Sequence, residues 1–143
     1  MDKVTVREKL DQIQMRVERI QELMPDDFPS LEEDRNTHEL ITFSFCLAVQ
    51  ETVDVALQFS EKGKRPKTMK ESLLNLRNNK IIPEELAEVL GKACGIRNVA
   101  VHAYSRLELD KLYEACTKHL DAFQSFVVHI QDHIKALECD AQQ

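Results

Sequence analysis

Residues 97 to 104 read Arg-Asn-Val-Ala-Val-His-Ala-Tyr, and three of these side chains can do chemistry. Arg97 is a permanent cation whose planar fork suits phosphate, and His102 can give or take a proton near neutral pH. A phosphate-binding cation with a proton carrier is what metal-independent RNA cleavage requires. His102 would deprotonate a ribose 2′-OH or protonate the leaving oxygen. Arg97 would bind the scissile phosphate and oppose charge building in the transition state. Asn98 would orient the imidazole or donate to phosphate. The structural alternative is that a cation near a helix C-terminus complements the dipole and a tyrosine closes a core edge.

Helical geometry limits how these groups can cooperate. At about 100° per residue, Arg97 and His102 stand about 140° apart, so they cannot form one tight pair on a straight helix. Asn98 and His102 are four apart and should be neighbours. Arg97 and Tyr104 are seven apart and nearly eclipsed if the helix continues that far. Ile96, Val99, Ala100 and Ala103 form the opposing apolar arc. One histidine per chain is awkward for a reaction that wants an acid and a base, and a symmetric dimer would supply the second.

The elements that must hold this stretch are helices. Three glycines and four prolines in 143 residues leave little turn material, which argues against a many-stranded sheet. Thr5/Glu8, Ser30/Glu33, Thr68/Glu71 and Ser105/Glu108 each read as a capping box, and Pro83 before Glu84 and Glu85 marks a fifth start. The expected helices run from about Thr5 to Met24, Leu31 to Glu61, Met69 to Asn78, Pro83 to Val101 and Leu107 to Leu137. Leu10, Ile13, Val17 and Ile20 give the first an apolar stripe; Leu109, Leu112, Cys116, Leu120, Phe123, Val127, Ile130 and Ile134 do so for the last. Residues Leu40 to Phe59 are apolar nearly all round, which predicts a central helix. The fold class is all-α, an antiparallel four- to five-helix bundle forming one domain over residues 1–143. Only Asp140 to Gln143 look frayed.

Composition bounds the function. Apolar residues make up 43% and charged residues 31%, the balance of a globular, soluble chain. A net charge of −6 means that any RNA contact must come from a local basic site. Cys46, Cys94, Cys116 and Cys139 match no zinc spacing and read as buried reduced thiols. With no secretory core at the N-terminus and no run of membrane-span length, the expected compartment is the cytoplasm, with no membrane partner.

Arg-Asn-x3-His-x-Tyr near the end of the fourth predicted helix resembles the signature of HEPN domains. It is most similar to HepT-like toxins encoded beside minimal nucleotidyltransferase (MNT) antitoxins. The resemblance extends to helix order, length, the polar start of the second helix (Glu33, Asp34, Arg35, His38, Glu39) and the Gly95-Ile96 lead-in. It implies that Arg97 and His102 are the RNase pair, with Asn98 the polar residue after the arginine. It implies a homodimer whose two motifs face a shared cleft, RNA as substrate and no cofactor or metal. It also implies that the partner nucleotidyltransferase transfers AMP to Tyr104, adding bulk and negative charge beside Arg97. Tyr104 has two other readings, a base-stacking platform and a core-edge residue. The alternative to the toxin is a non-catalytic helical module or adaptor that binds nucleotide or RNA beside a nucleotidyltransferase.

Other features read as structural. Lys62, Lys64, Arg65, Lys67 and Lys70 form a basic run best explained as a solvated loop, with RNA or an acidic partner as the other option. His129 and His133 are four apart but lack an evident third metal ligand, Asp132 and Cys139 being the nearest candidates. His38, with Asp34 one turn back, receives no chemical role. Tyr113, Phe123 and Phe126 suit packing.

Overall fold

The computed structural model describes residues 1–61 and 63–142. Seven α-helices follow in chain order: α1 Lys3–Leu23, α2 Phe28–Glu33, α3 Arg35–Leu57, α4 Met69–Asn78, α5 Glu84–His102, α6 Leu109–Lys118 and α7 Asp121–Gln142. A 3-10 turn, Tyr104–Arg106, links α5 to α6. No strand occurs among the described residues.

Two of the five expected helices break in two, and carboxylates explain the first break. Asp34 carries extended dihedrals (φ −98°, ψ 91°) and its Oδ1 accepts from the Thr37 N–H at 3.1 Å. It ends α2 and caps α3, so the second helix does not run unbroken from Leu31. Asp27, not Ser30, caps α2. Asp2 likewise caps α1 and takes the Thr5 hydroxyl at 2.8 Å, so Thr5 is a donor inside the helix. Aspartate outcompetes the nearby hydroxyls because an ionised oxygen is the stronger acceptor for orphan N–H groups. The long C-terminal segment breaks at His119 and Leu120, between α6 and α7. The Ser105/Glu108 box does not form, because Ser105 lies in the 3-10 turn and Glu108 precedes α6 without a side-chain cap bond. The Thr68 box does form: Thr68 Oγ1 accepts from the Glu71 N–H at 3.1 Å, while Glu71 reaches back to the Lys67 N–H at 2.6 Å. After α4, Lys80 takes a left-handed φ of 59°, and the Ile81 N–H closes on the Leu76 carbonyl at 2.9 Å. This is the geometry that stops a helix sharply. The tail remains helical through Asp140 to Gln142; Gln143, like Lys62 of the basic run, lies outside the described residues.

Leu10, Ile13, Val17 and Ile20 of α1 are fully buried, as are Leu112, Phe126, Val127 and Ile130 of α6 and α7. Phe45 of α3 meets Phe123 of α7 edge to face at 5.9 Å in the middle of the core. Tyr113 meets Phe28 in the same way at 5.6 Å. α3 is the central helix, packed on α1, α4, α5 and α7. By length and composition it alone among the described helices could cross a membrane. Its apolar residues are instead consumed by the core: Ile41, Phe45, Ala48, Val49, Val53, Val55 and Ala56 are all buried. Its covering is incomplete, since Leu40 and Phe43 remain exposed. α5 runs antiparallel to α3 and lays its C-terminal half along it, which carries the motif to the site.

Of the cysteines, Cys94 and Cys116 are buried and Cys46 partly so, but Cys139 is exposed near the end of α7. Burial raises the Cys94 thiol to about 11 and the Cys116 thiol to about 12. Both are inert neutral thiols at physiological pH.

Candidate functional site at the end of helix α5

Pro83 starts α5 with extended dihedrals, and Glu84 and Glu85 occupy its first turn. At the other end Ala103 leaves helical space (φ −151°, ψ 57°) while its N–H still bonds the Val99 carbonyl at 2.8 Å. Arg97, Asn98 and His102 therefore sit on the helix, and Tyr104 does not. The near-eclipse of Arg97 with Tyr104 required a continuous helix and does not arise.

The two ends of the motif grip different parts of α3. Arg97 Nη2 donates to Gln50 Oε1 at 3.1 Å, and Arg97 Nη1 donates to Asn98 Oδ1 at 3.2 Å. Gln50 Nε2 in turn donates to Asp54 Oδ1 at 2.9 Å. Asp54 Oδ2 and Glu51 Oε2 both accept from Lys9 Nζ of α1, each at 3.2 Å. The chain of bonds fixes the orientation of the Gln50 amide. Asp54 can only accept, so the amide nitrogen faces it and the oxygen is left for the guanidinium. Partial burial disfavours the Lys9 ammonium, but its hydrogen bonds and attraction to Glu51 and Asp54 outweigh that and raise its pKa. A half-buried Arg97 is thus held through three helices, α5, α3 and α1.

Tyr104 reaches the opposite end of α3. Its hydroxyl lies 3.4 Å from His38 Nδ1. Burial and the neighbouring Glu39 carboxylate raise the phenol's pKa, partly offset by Thr42 and Arg35. His38 and Gln50 are twelve residues apart on one helix, roughly 18 Å along its axis. Tyr104, expected to be nearly eclipsed with Arg97, instead contacts α3 about three turns from the residue that holds the guanidinium.

His102 is exposed in the last turn of α5 and has no hydrogen-bond partner among the described residues. Asn98 does not orient it, since the Asn98 carbonyl oxygen is taken by Arg97. Its amide nitrogen faces no acceptor among the described residues and can donate outward.

Next to the motif, Phe45, Ile96 and Val99 help to line a groove of about 560 Å³ whose rim carries Lys70, Lys92 and Arg106. None of those three cations is in a salt bridge among the described residues. Glu108 and Glu114 also line it, Glu108 paired with Lys111 at 3.0 Å. Among the described residues, the basic run contributes only Lys70 to it; Lys64 pairs with Glu61 at 3.3 Å. His133 packs edge to face on Phe59 at 5.5 Å, and no three potential metal ligands converge among the described residues.

Sequence reasoning missed Gln50, Asp54 and Lys9 as partners of the site. The available signal was a polar pair four residues apart, Gln50 and Asp54, inside an otherwise apolar helix. His38 was seen but left without chemistry, because its contact with Tyr104 spans 66 positions.

An all-helical bundle that delivers an arginine, a histidine and a tyrosine at one helix end is the architecture of HEPN domains. The model of the family described as Ribonuclease HepT-like matches residues 13–130, and the chain belongs to that family. It is 27% identical over 130 residues to the mRNA nuclease HepT of Shewanella oneidensis, covering 90% of this chain and 94% of that protein. The structure of a tri-AMPylated Shewanella oneidensis HEPN toxin in complex with MNT antitoxin superposes with a TM-score of 0.83. It is 25% identical and covers 92% of this chain and 99% of that one. A cytosolic protein of unknown function from Bacillus subtilis, YutE, shares the fold alone, with a TM-score of 0.79 at 15% identity over 95% of this chain and 92% of that one.

Proposed function

We propose that this chain is the toxin of a toxin–antitoxin pair, an endoribonuclease that cuts cellular RNA in the cytoplasm without a metal ion. The observation that carries this is the Arg97 guanidinium, fixed by Gln50 and Asn98 on the same helix end that presents an exposed His102. Arg97 holds the scissile phosphate and meets the charge that builds on its oxygens. His102 moves the proton. The ribose 2′-oxygen attacks phosphorus, its proton passes to a base, and the bond to the 5′-oxygen breaks as an acid protonates that oxygen. The products are a 2′,3′-cyclic phosphate and a 5′-hydroxyl. A homodimer facing two motifs across one cleft supplies both acid and base, and the cationic groove beside α5 carries the strand away from it.

The antitoxin in this proposal is a minimal nucleotidyltransferase that transfers AMP to Tyr104. The related toxin described as tri-AMPylated and bound to MNT antitoxin supports that partner. An anionic adduct on the turn after α5 would add negative charge beside Arg106 of the groove rim and compete there with RNA phosphate.

One observation favours a second reading. His102 has nothing to orient it among the described residues, as in a module that binds RNA or nucleotide without turnover. Incubating purified protein with RNA in EDTA separates the two. Cleavage with cyclic-phosphate ends is expected, and retention of intact RNA would reject the nuclease.

A further inference from the structure

The His38–Tyr104 contact has no part in RNA cleavage as described above. It joins a nucleophile to a base across two elements. We propose that His38 is the general base that takes the phenolic proton of Tyr104 as AMP is transferred to it. This rests on Tyr104 being the acceptor.

Three observations converge on it. The Tyr104 hydroxyl lies 3.4 Å from His38 Nδ1, a separation of the looser kind that catalytic hydrogen bonds show before reactants are bound. With the imidazole proton on Nε2, Nδ1 is an acceptor and the phenol donates to it. Burial and Glu39 hold the phenol in its neutral form. A neutral hydroxyl is a weak nucleophile unless a base is at hand. The third group is Asp34, one turn before His38. Its carboxylate, kept ionised by the Thr37 hydroxyl and backbone N–H, also feels the imidazole. It would steady the imidazolium that forms, while Arg35 on the same turn lies within electrostatic range of Tyr104.

The transfer balances as a substitution at phosphorus. Tyr104 Oη bonds to the α-phosphorus of ATP, the bridging bond between the α- and β-phosphates breaks, and pyrophosphate leaves. The phenolic proton goes to His38 Nδ1 and then to water. Nothing is oxidised or reduced. The antitoxin supplies the nucleotide site, and the toxin supplies its own base.

The test is transfer from α-labelled ATP by the cognate MNT antitoxin to the full chain, with the modified residue identified by mass. Tyr104→Phe provides the blank. His38→Asn keeps an acceptor near the Nδ1 position but takes no proton, and His38→Ala removes both. Each should slow transfer by about 10²-fold or more, with the KM for ATP unchanged and thermal melting confirming the fold. A wild-type rate in His38→Asn would show that the contact only orients the phenol and would overturn the base. A wild-type rate in His38→Ala would overturn it as well. Loss of RNA cleavage in His38→Ala with AMP transfer intact would move His38 to the RNA reaction instead. If the wild-type chain gains no AMP on Tyr104, the acceptor assignment fails and this inference fails with it.

Discussion

Arg97 and His102 stand five residues apart on one helix and are treated in opposite ways. The arginine is half-buried and tied to Gln50 and Asn98, with Gln50 tied in turn to Asp54 and Asp54 to Lys9. The histidine is exposed and has no hydrogen-bond partner among the described residues. The contrast suits the roles proposed for each. A group that stabilises charge gains most from being fixed in advance, since it then pays no reorganisation as the charge appears. In the proposed reaction, the group that carries the proton must meet an oxygen that arrives only with the substrate, and in the proposed homodimer a second copy of the chain would complete its surroundings.

The largest expected effect tests the free side of the contrast. His102→Ala should lower RNA cleavage by about 10³-fold and leave Tm unchanged, because no hydrogen bond is lost among the described residues. Unchanged cleavage by a folded His102→Ala protein would end the catalytic assignment. Arg97→Ala should cost about 10²-fold in cleavage and also lower stability by about 1 kcal/mol, because the Gln50 amide loses its charged donor. An arginine that could be removed without change in Tm would erase the difference between the two regions. Gln50→Leu sharpens the comparison further. It leaves the guanidinium in place but untethered, and cleavage should fall about 10-fold, with the loss in kcat. A loss confined to KM would make Gln50 part of the binding surface instead. Smallest of all, Lys92→Ala in the groove should weaken RNA binding a few-fold at low salt and reduce the slope of log affinity against log salt by about one. A slope equal to wild type would place the strand elsewhere.

What could be read in the sequence was local or periodic. The buried stripes on α1, α6 and α7 repeat at helical spacing, and α4 occupies the expected span with its Thr68 cap. Breaks were harder to see. A polar pattern does not reveal which of several acceptors will win the orphan N–H groups, and Asp34 and Asp27 prevailed over Ser30. The motif itself was legible as residue types. The helix end before Tyr104 was legible too, but the partners of the motif's two halves were not, because they lie 47 and 66 positions away. Tertiary hydrogen bonds of that range leave no period in a sequence. The exposed Cys139 was misjudged for a related reason: the apolar stripe of α7 does not extend to its end.

The departure of Ala103 from helical dihedrals has an evolutionary consequence. On the proposed roles, it places weapon and safety catch on separate mountings, so that each could be lost alone. An insertion in the turn after Ala103 would swing Tyr104 off His38 while leaving Arg97 and His102 on their helix, and such a lineage would carry a poison that its own antidote no longer recognises. A lesion in α5 upstream would do the reverse, leaving a harmless protein still docile to its partner. Selection should therefore tolerate drift in α5 far more readily than any change in the length of the turn.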